Sequence, residues 1–254
     1  MFCDTHTHLL DERFDDARRE MIGRFPEDGI DFVIECGTDA GDIGLAAALA
    51  EKNPRIYAAI GVHPHSASGY SPQVEEEIRR LVKSKKVVAV GEIGLDFHYD
   101  FSPRDVQEKV FAAQIDLARE LDLPIVVHSR EATEATWNIL CGAGVRGELH
   151  CFSGSAEMAI RYVESGFYIA FGGSLTFKNA RRALEAAQAV PMERILIETD
   201  CPYMTPEPLR GKRNEPAYVR LVAEKLAEIK GIPVSEVARI TQDNAKALFS
   251  ITEE

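Results

Sequence analysis

Seven histidines stand in this 254-residue chain, and five of them lie where a metal ion could be gripped. His6 and His8 form an HTH triplet at the end of the first apolar run. Side chains alternate along an extended chain, so residues i and i+2 project to one side and can share an ion. His63 follows AAIGV, His128 follows PIVV and His150 follows GEL. Glu92 follows VVAVG, and Asp200 follows RILIET. Imidazole and carboxylate are the usual ligands of hydrolytic metal centres. A lone histidine at a strand end is more often structural, and a lone Glu or Asp there more often caps the next helix. Independent structural residues have no reason to share one end of six different strands. The joint pattern therefore points to a metal site.

The four imidazoles of His6, His8, His128 and His150, with the carboxylates of Glu92 and Asp200, exceed the three protein ligands of a single catalytic zinc. They suit two divalent ions sharing one carboxylate. Glu92 falls between the two histidine pairs in strand order, which makes it the natural bridge. Two such ions less two carboxylates leave net positive charge for a hydroxide and an anionic substrate. That balance suits phosphate ester hydrolysis, in which one ion activates water and both stabilise the phosphoryl oxygens. The ligand types admit zinc, manganese, nickel, iron or magnesium, although four imidazoles are softer than magnesium prefers. His65 and His98 fall in loops beyond the strands and are read as surface or supporting residues. Asp4 shares the parity of His6 and His8 but sits deeper, which suits holding a ligand in place better than ligation.

Elements must position these residues. Short apolar runs near residues 1–6, 31–36, 56–62, 86–92, 123–128, 146–151, 167–172 and 194–199 alternate with longer amphipathic stretches. Runs such as IYAAI, VVAV and RILIE are continuously apolar, as parallel strands covered on both faces are. Helices are expected over Pro72–Ser84, Pro103–Leu121, Glu131–Cys141, Ala156–Ser165 and Lys178–Gln188, and two more in the tail split at Gly231-Ile232-Pro233. Eight strand–helix repeats predict an α/β fold of the (β/α)8 TIM-barrel class, with an open doubly wound sheet as runner-up. The length suits one barrel domain spanning residues 1–254, whose strand C-termini converge on a single mouth. The segment Cys201–Glu215 is predicted to be a mouth loop.

No run approaches 18 apolar residues, so no membrane partner is expected. MFCDTHTH lacks the basic and apolar regions of a signal peptide, so none is expected, and the expected location is cytoplasmic. The five cysteines are widely spaced and read as buried free thiols. A net charge of -12 argues against broad attraction to nucleic acid but permits a phosphorylated substrate, because bound cations supply local positive charge. No obligate protein partner is implied.

The motifs DTHTHL (4–9), GVHPH (61–65), GEIGLDF (91–97), PIVVHSR (124–130), HCFSG (150–154), ETDCPYMTPEPLRGKRNEP (198–216) and NAKALF (244–249) run in order across the chain. With these motifs the sequence resembles the TatD-like metal-dependent deoxyribonucleases, a branch of the amidohydrolase-type barrels. The resemblance implies a phosphodiesterase acting on DNA, at single strands or ends, with two divalent ions. It implies that His6, His8, Glu92 and Asp200 hold one ion and that Glu92, His128 and His150 hold the other. Asp200 would also accept the proton of the attacking water, and His63 would contact water or substrate. Arg130, Tyr203 and Arg210 occupy motif positions that could meet phosphate or the leaving group; helix-terminal pairing or loop packing explains them equally well. Many related amidohydrolases bridge their metals with a modified lysine on the fourth strand, whereas GEIG here offers Glu92. That tilts away from amide hydrolysis of the dihydroorotase kind. The alternatives are an esterase or amidase, for example on aminoacyl-tRNA linkages, and a binding protein that keeps metal for structure.

Overall fold

The eight apolar runs are strands in the computed structural model, which describes residues 1–252. They are β1 (Phe2–Thr7), β2 (Ile30–Cys36), β3 (Ile56–Ala59), β4 (Val87–Asp96), β5 (Ile125–Arg130), β6 (Gly147–Leu149), β7 (Tyr168–Phe171) and β8 (Ile195–Ile197), and their sheet order follows chain order. The helices are α1 (Arg18–Gly23), α2 (Ile43–Lys52), α3 (Pro72–Leu81), α4 (Arg104–Leu121), α5 (Thr133–Leu140), α6 (Ala156–Glu164), α7 (Arg181–Ala189), α8 (Val219–Lys230) and α9 (Val234–Phe249). Where caps are explicit, the residue types account for the boundaries. Ser71 accepts from the Val74 amide with Pro72 in the first turn of α3, and Ser155 accepts from the Met158 amide to start α6. Gly231, with φ of 67°, ends α8 in the left-handed conformation that its lack of a Cβ permits.

Contacts divide the chain into two units, Met1–Glu35 with His150–Glu254, and Cys36–Leu149. In the first, β7 pairs with β8, β1 pairs with β2, and a parallel bridge joins Thr7 to Cys201 just beyond β8. The last strand thus returns to the first, as a barrel requires and an open doubly wound sheet forbids. In the second, β3, β4, β5 and β6 pair in succession, all parallel. Almost every strand residue is buried, including polar Thr5, Thr7, Glu35 and Glu148. That two-sided burial is why the strands read as continuous apolar runs.

β4 departs from expectation. It continues four residues past Glu92, because Ile93 to Asp96 pair with Val127 to Arg130 of β5. Glu92 therefore lies within the strand, not at its end. The extension depends on Gly94, whose φ is 142° and where a Cβ would lie 2.0 Å from the His128 carbonyl oxygen. Gly94→Ala should thus push β5 away at His128 and destabilise the protein by about 3 kcal/mol, roughly 6–12 °C in Tm for a chain of this size. Gly44→Ala in α2 has nothing within 4 Å of the new Cβ and should be neutral or stabilising. Paired thermal melts of the two variants check this; equal melting temperatures would refute the close approach. The cysteines form no disulfide; Cys3, Cys36 and Cys201 are buried as expected, but Cys141 is exposed in the turn after α5. Among the described residues no helix is long and apolar enough to cross a membrane.

Candidate metal centre

In the first unit, the end of β1 delivers His6 and His8 with Nε2 atoms 3.2 Å apart. The ring of His150, immediately after β6, stacks on His6 with centroids 3.9 Å apart. His8 Nε2 stands 3.4 Å from Asp200 Oδ1, and His150 Nδ1 stands 3.2 Å from Glu198 Oε1. His6, His150 and Glu198 each offer a ligand atom within 4.8 Å of the others. Glu198 is fully buried, and its Oε2 has no hydrogen-bond partner. An unpartnered buried carboxylate oxygen is costly, and a cation beside it would remove the penalty. The donor set therefore fits a divalent ion.

The backbone around this cluster is tied down by buried polar side chains. Asp4 accepts from the Thr199 amide and hydroxyl, at 2.8 and 2.5 Å, and from the His6 amide, joining β1 to the turn carrying Asp200. Burial pushes the Asp4 carboxyl well above the carboxylate range, against those hydrogen bonds. This is the supporting position expected for it. Asn214 Nδ2 donates to the carbonyls of Thr199 and Tyr203, spanning the Asp200 turn. Asp200 itself has φ of 57°, a conformation Asp tolerates better than most residues. Burial raises its carboxyl, but the His8 hydrogen bond and the imidazoles of His150 and His6 outweigh it, so Asp200 is held ionised. Glu35 accepts from the amides of Leu9 and Leu10 and from the Thr7 hydroxyl, fixing the chain just past His8. Burial raises its pKa to about 7.

In the second unit, His63, Glu92 and His128 form another donor group within 4.8 Å. His128 Nδ1 lies 2.9 Å from Glu92 Oε1, and His63 Nε2 lies 3.6 Å from the same oxygen. Beside them, Asp96 meets His65 Nε2 at 2.8 Å and His128 Nε2 at 3.3 Å. Burial opposes ionisation of Asp96, yet hydrogen bonds from His128, the Tyr99 amide and His65 hold its carboxyl below the usual range. His65 is thus a supporting residue. Gln114 of α4 fixes the backbone before His63, accepting from the Val62 amide at 2.7 Å and donating to its carbonyl at 2.9 Å. Gln107 does the same for Asp96.

The remaining sequence candidates fall elsewhere. The Tyr203 hydroxyl donates to Asp11, its ring lies edge-on to His8 at 6.0 Å, and Arg13 covers its face. Arg210 packs over Phe177 and donates to the Thr205 carbonyl, which supports loop packing. Arg130 lies over the ring of Tyr99. His98 pairs with Glu131 at the surface. Sequence reasoning missed Glu198, Glu35, Asp96 and the two clamping glutamines. Glu198 was detectable, since it shares the i,i+2 parity with Asp200 that singled out His6 and His8.

Metal content provides a direct check. His128→Ala or His150→Ala should each cost about one ion per chain of those bound, because each imidazole offers a donor atom to one of the clusters. His65→Ala and His98→Ala should leave the content unchanged. Elemental analysis measures it, and loss of an equivalent in His98→Ala would contradict the assignment.

Strands in chain order, with clusters of histidine and carboxylate donors in or just beyond them in each unit, define a metal-dependent hydrolase on a (β/α)8 barrel. Comparison with known proteins agrees. The sequence matches the family described as TatD related DNase over residues 3–250. It is 46% identical to the uncharacterized metal-dependent hydrolase YabD of Bacillus subtilis, across 99% of this chain and 100% of that protein. It is 36% identical to a protein of Salmonella typhimurium named 3'-5' ssDNA/RNA exonuclease TatD, over 98% of each chain. The crystal structure of YjjV, a TatD homologue of Escherichia coli, superposes with a TM-score of 0.92 at 31% identity, covering 99% of this chain and 98% of the other. The chain belongs to the TatD family of metal-dependent hydrolases, and the predicted barrel fold class holds.

Proposed function

We propose that this protein is a deoxyribonuclease that hydrolyses phosphodiester bonds at the ends of single-stranded DNA, using two divalent metal ions. The observation carrying this reading is the crowding of nitrogen and oxygen donors around Glu198, whose buried Oε2 lacks a hydrogen-bond partner. The relatives named single-strand exonucleases support the substrate class. In this proposal His6, His8, Glu92 and Asp200 hold one ion, and Glu92, His128 and His150 hold the other, as the family resemblance implies. Glu198 adds a further oxygen beside His6 and His150. When bound, the metals supply Lewis acidity, lowering the pKa of water and neutralising charge on the phosphoryl oxygens.

The chain's own groups then do the following. Asp200, held ionised, takes up the proton of the attacking water. His63, close to Glu92, orients water or the scissile phosphate. Tyr203, about half exposed beside His8, can reach the leaving group. Arg130 and Arg210 bring positive charge to an otherwise acidic chain. The reaction is expected to proceed in the cytoplasm without an obligate protein partner.

The test is a substrate panel with metal-replete protein. Single-stranded oligonucleotides and a small phosphodiester should be hydrolysed, while aminoacyl-tRNA and simple carboxylic esters should not. Faster cleavage of the carbonyl substrates would replace this reading with esterase or amidase activity.

A further inference from the structure

The loop after β4 exposes two large aromatic residues that packing does not require. Tyr99 is 48% exposed and Phe101 68% exposed. Leaving such side chains in water forfeits roughly 1.5–3 kcal/mol of burial for a phenylalanine. They are nevertheless ordered against each other, with ring planes within 7° of parallel and centroids 5.2 Å apart. The Arg130 guanidinium lies 4.8 Å over the Tyr99 ring. His65 meets both rings edge-on, at 5.5 and 4.8 Å, and His98 meets Tyr99 at 4.6 Å.

The loop holding the pair is braced from both sides. Asp96 Oδ1 accepts from the amides of His98 and Tyr99, at 2.9 and 3.0 Å. The Phe97 amide donates to the Arg130 carbonyl, and Arg104 donates to the Phe97 carbonyl. The Ser102 hydroxyl donates to the His65 carbonyl at 3.0 Å. The rings are thus presented in advance of any ligand, which lowers the ordering cost of binding. They also adjoin the second donor group, because His65 stands 4.3 Å from His63 by ring centroids and shares Asp96 with His128.

We infer that Tyr99, Phe101 and Arg130 form a stacking platform for an unpaired nucleobase next to the scissile phosphate. An exposed π-face such as that of Phe101, backed by Tyr99 and the Arg130 guanidinium, is a feature on which bases of a single strand stack, without preference for sequence. A base within a duplex is already stacked and cannot reach the platform, so the device selects single strands and frayed ends. Arg130 then acts by its position over Tyr99 as much as by its charge. The inference rests on the substrate class proposed above and names where that substrate is held.

The experiment compares a single-stranded DNA ten-mer with an abasic chain of the same length and charge, both phosphorothioate-linked to resist cleavage. Binding to the metal-loaded full-length protein is measured by anisotropy. Wild type should bind the base-bearing strand about tenfold more tightly than the abasic one, the scale of one stacked base. Phe101→Ala should erase that preference while leaving abasic affinity and turnover of a small phosphodiester unchanged. Phe101→Trp should restore the preference, and Phe101→Leu, which keeps apolar area without a π-face, should not. An undiminished preference in both Phe101→Ala and Tyr99→Ala would overturn the platform while leaving the nuclease reading intact. If wild type turns over the small phosphodiester yet neither binds nor cleaves single strands, the substrate reading falls and takes the platform with it.

Discussion

Replacing Glu92 by glutamine should lower phosphodiester turnover by on the order of 10³-fold, equivalent to about 4 kcal/mol of transition-state stabilisation. The side chain is almost completely buried within β4, and one of its oxygens faces both His128 at 2.9 Å and His63 at 3.6 Å. Glutamine preserves the shape, so strand packing should survive. What changes is charge and ligand strength, since a neutral amide is a poor metal ligand and the site gains a positive charge. Circular dichroism and thermal melts should therefore stay near wild type while kcat collapses and metal content falls. A variant turning over within a few-fold of wild type would show that Glu92 only supports the histidines.

Asp200→Asn should lower kcat by about 10²- to 10⁴-fold, the range for removing a positioned general base, with little change in KM. Asp200 is held ionised by His8 and by the imidazoles of His150 and His6, despite its burial. Asparagine tolerates the left-handed backbone at this position at least as well as aspartate, so the turn held by Asn214 should persist. Steady-state kinetics on a single-stranded oligonucleotide, alongside metal analysis, separate the two roles proposed for the residue. Full metal occupancy with lost turnover marks a proton acceptor, and lost occupancy marks a ligand first. Unchanged kcat would remove Asp200 from the mechanism. Because the carboxyl is held below the usual range, protonation of Asp200 should not be the event that ends activity on mild acidification. A pH–rate profile whose acid limb lies in the ordinary carboxylate range would contradict this.

The sequence alone determined the alternation of elements, because covered parallel strands must be apolar on both faces and surface helices must be amphipathic. It also determined which side chains could bind metal: His6, His8, His128 and His150 announce themselves by residue type and by following an apolar run. Type and local spacing are one-dimensional properties. Which donors touch is not, and only the tertiary structure decided it. It stacked His150 on His6 and brought Glu198 to His150 across 48 residues of chain. It carried β4 past Glu92, because pairing with β5 and the bare backbone of Gly94 let the strand continue. It set Arg130 over Tyr99 and Arg210 over Phe177, where the motif positions had left phosphate contact and packing equally open. It placed Gln107 and Gln114 on the buried face of α4, where their amides satisfy the backbone of Asp96 at the end of β4 and of Val62 beyond β3. In each case the deciding quantity is a through-space distance between residues far apart in the chain, and local patterning carries no measure of it.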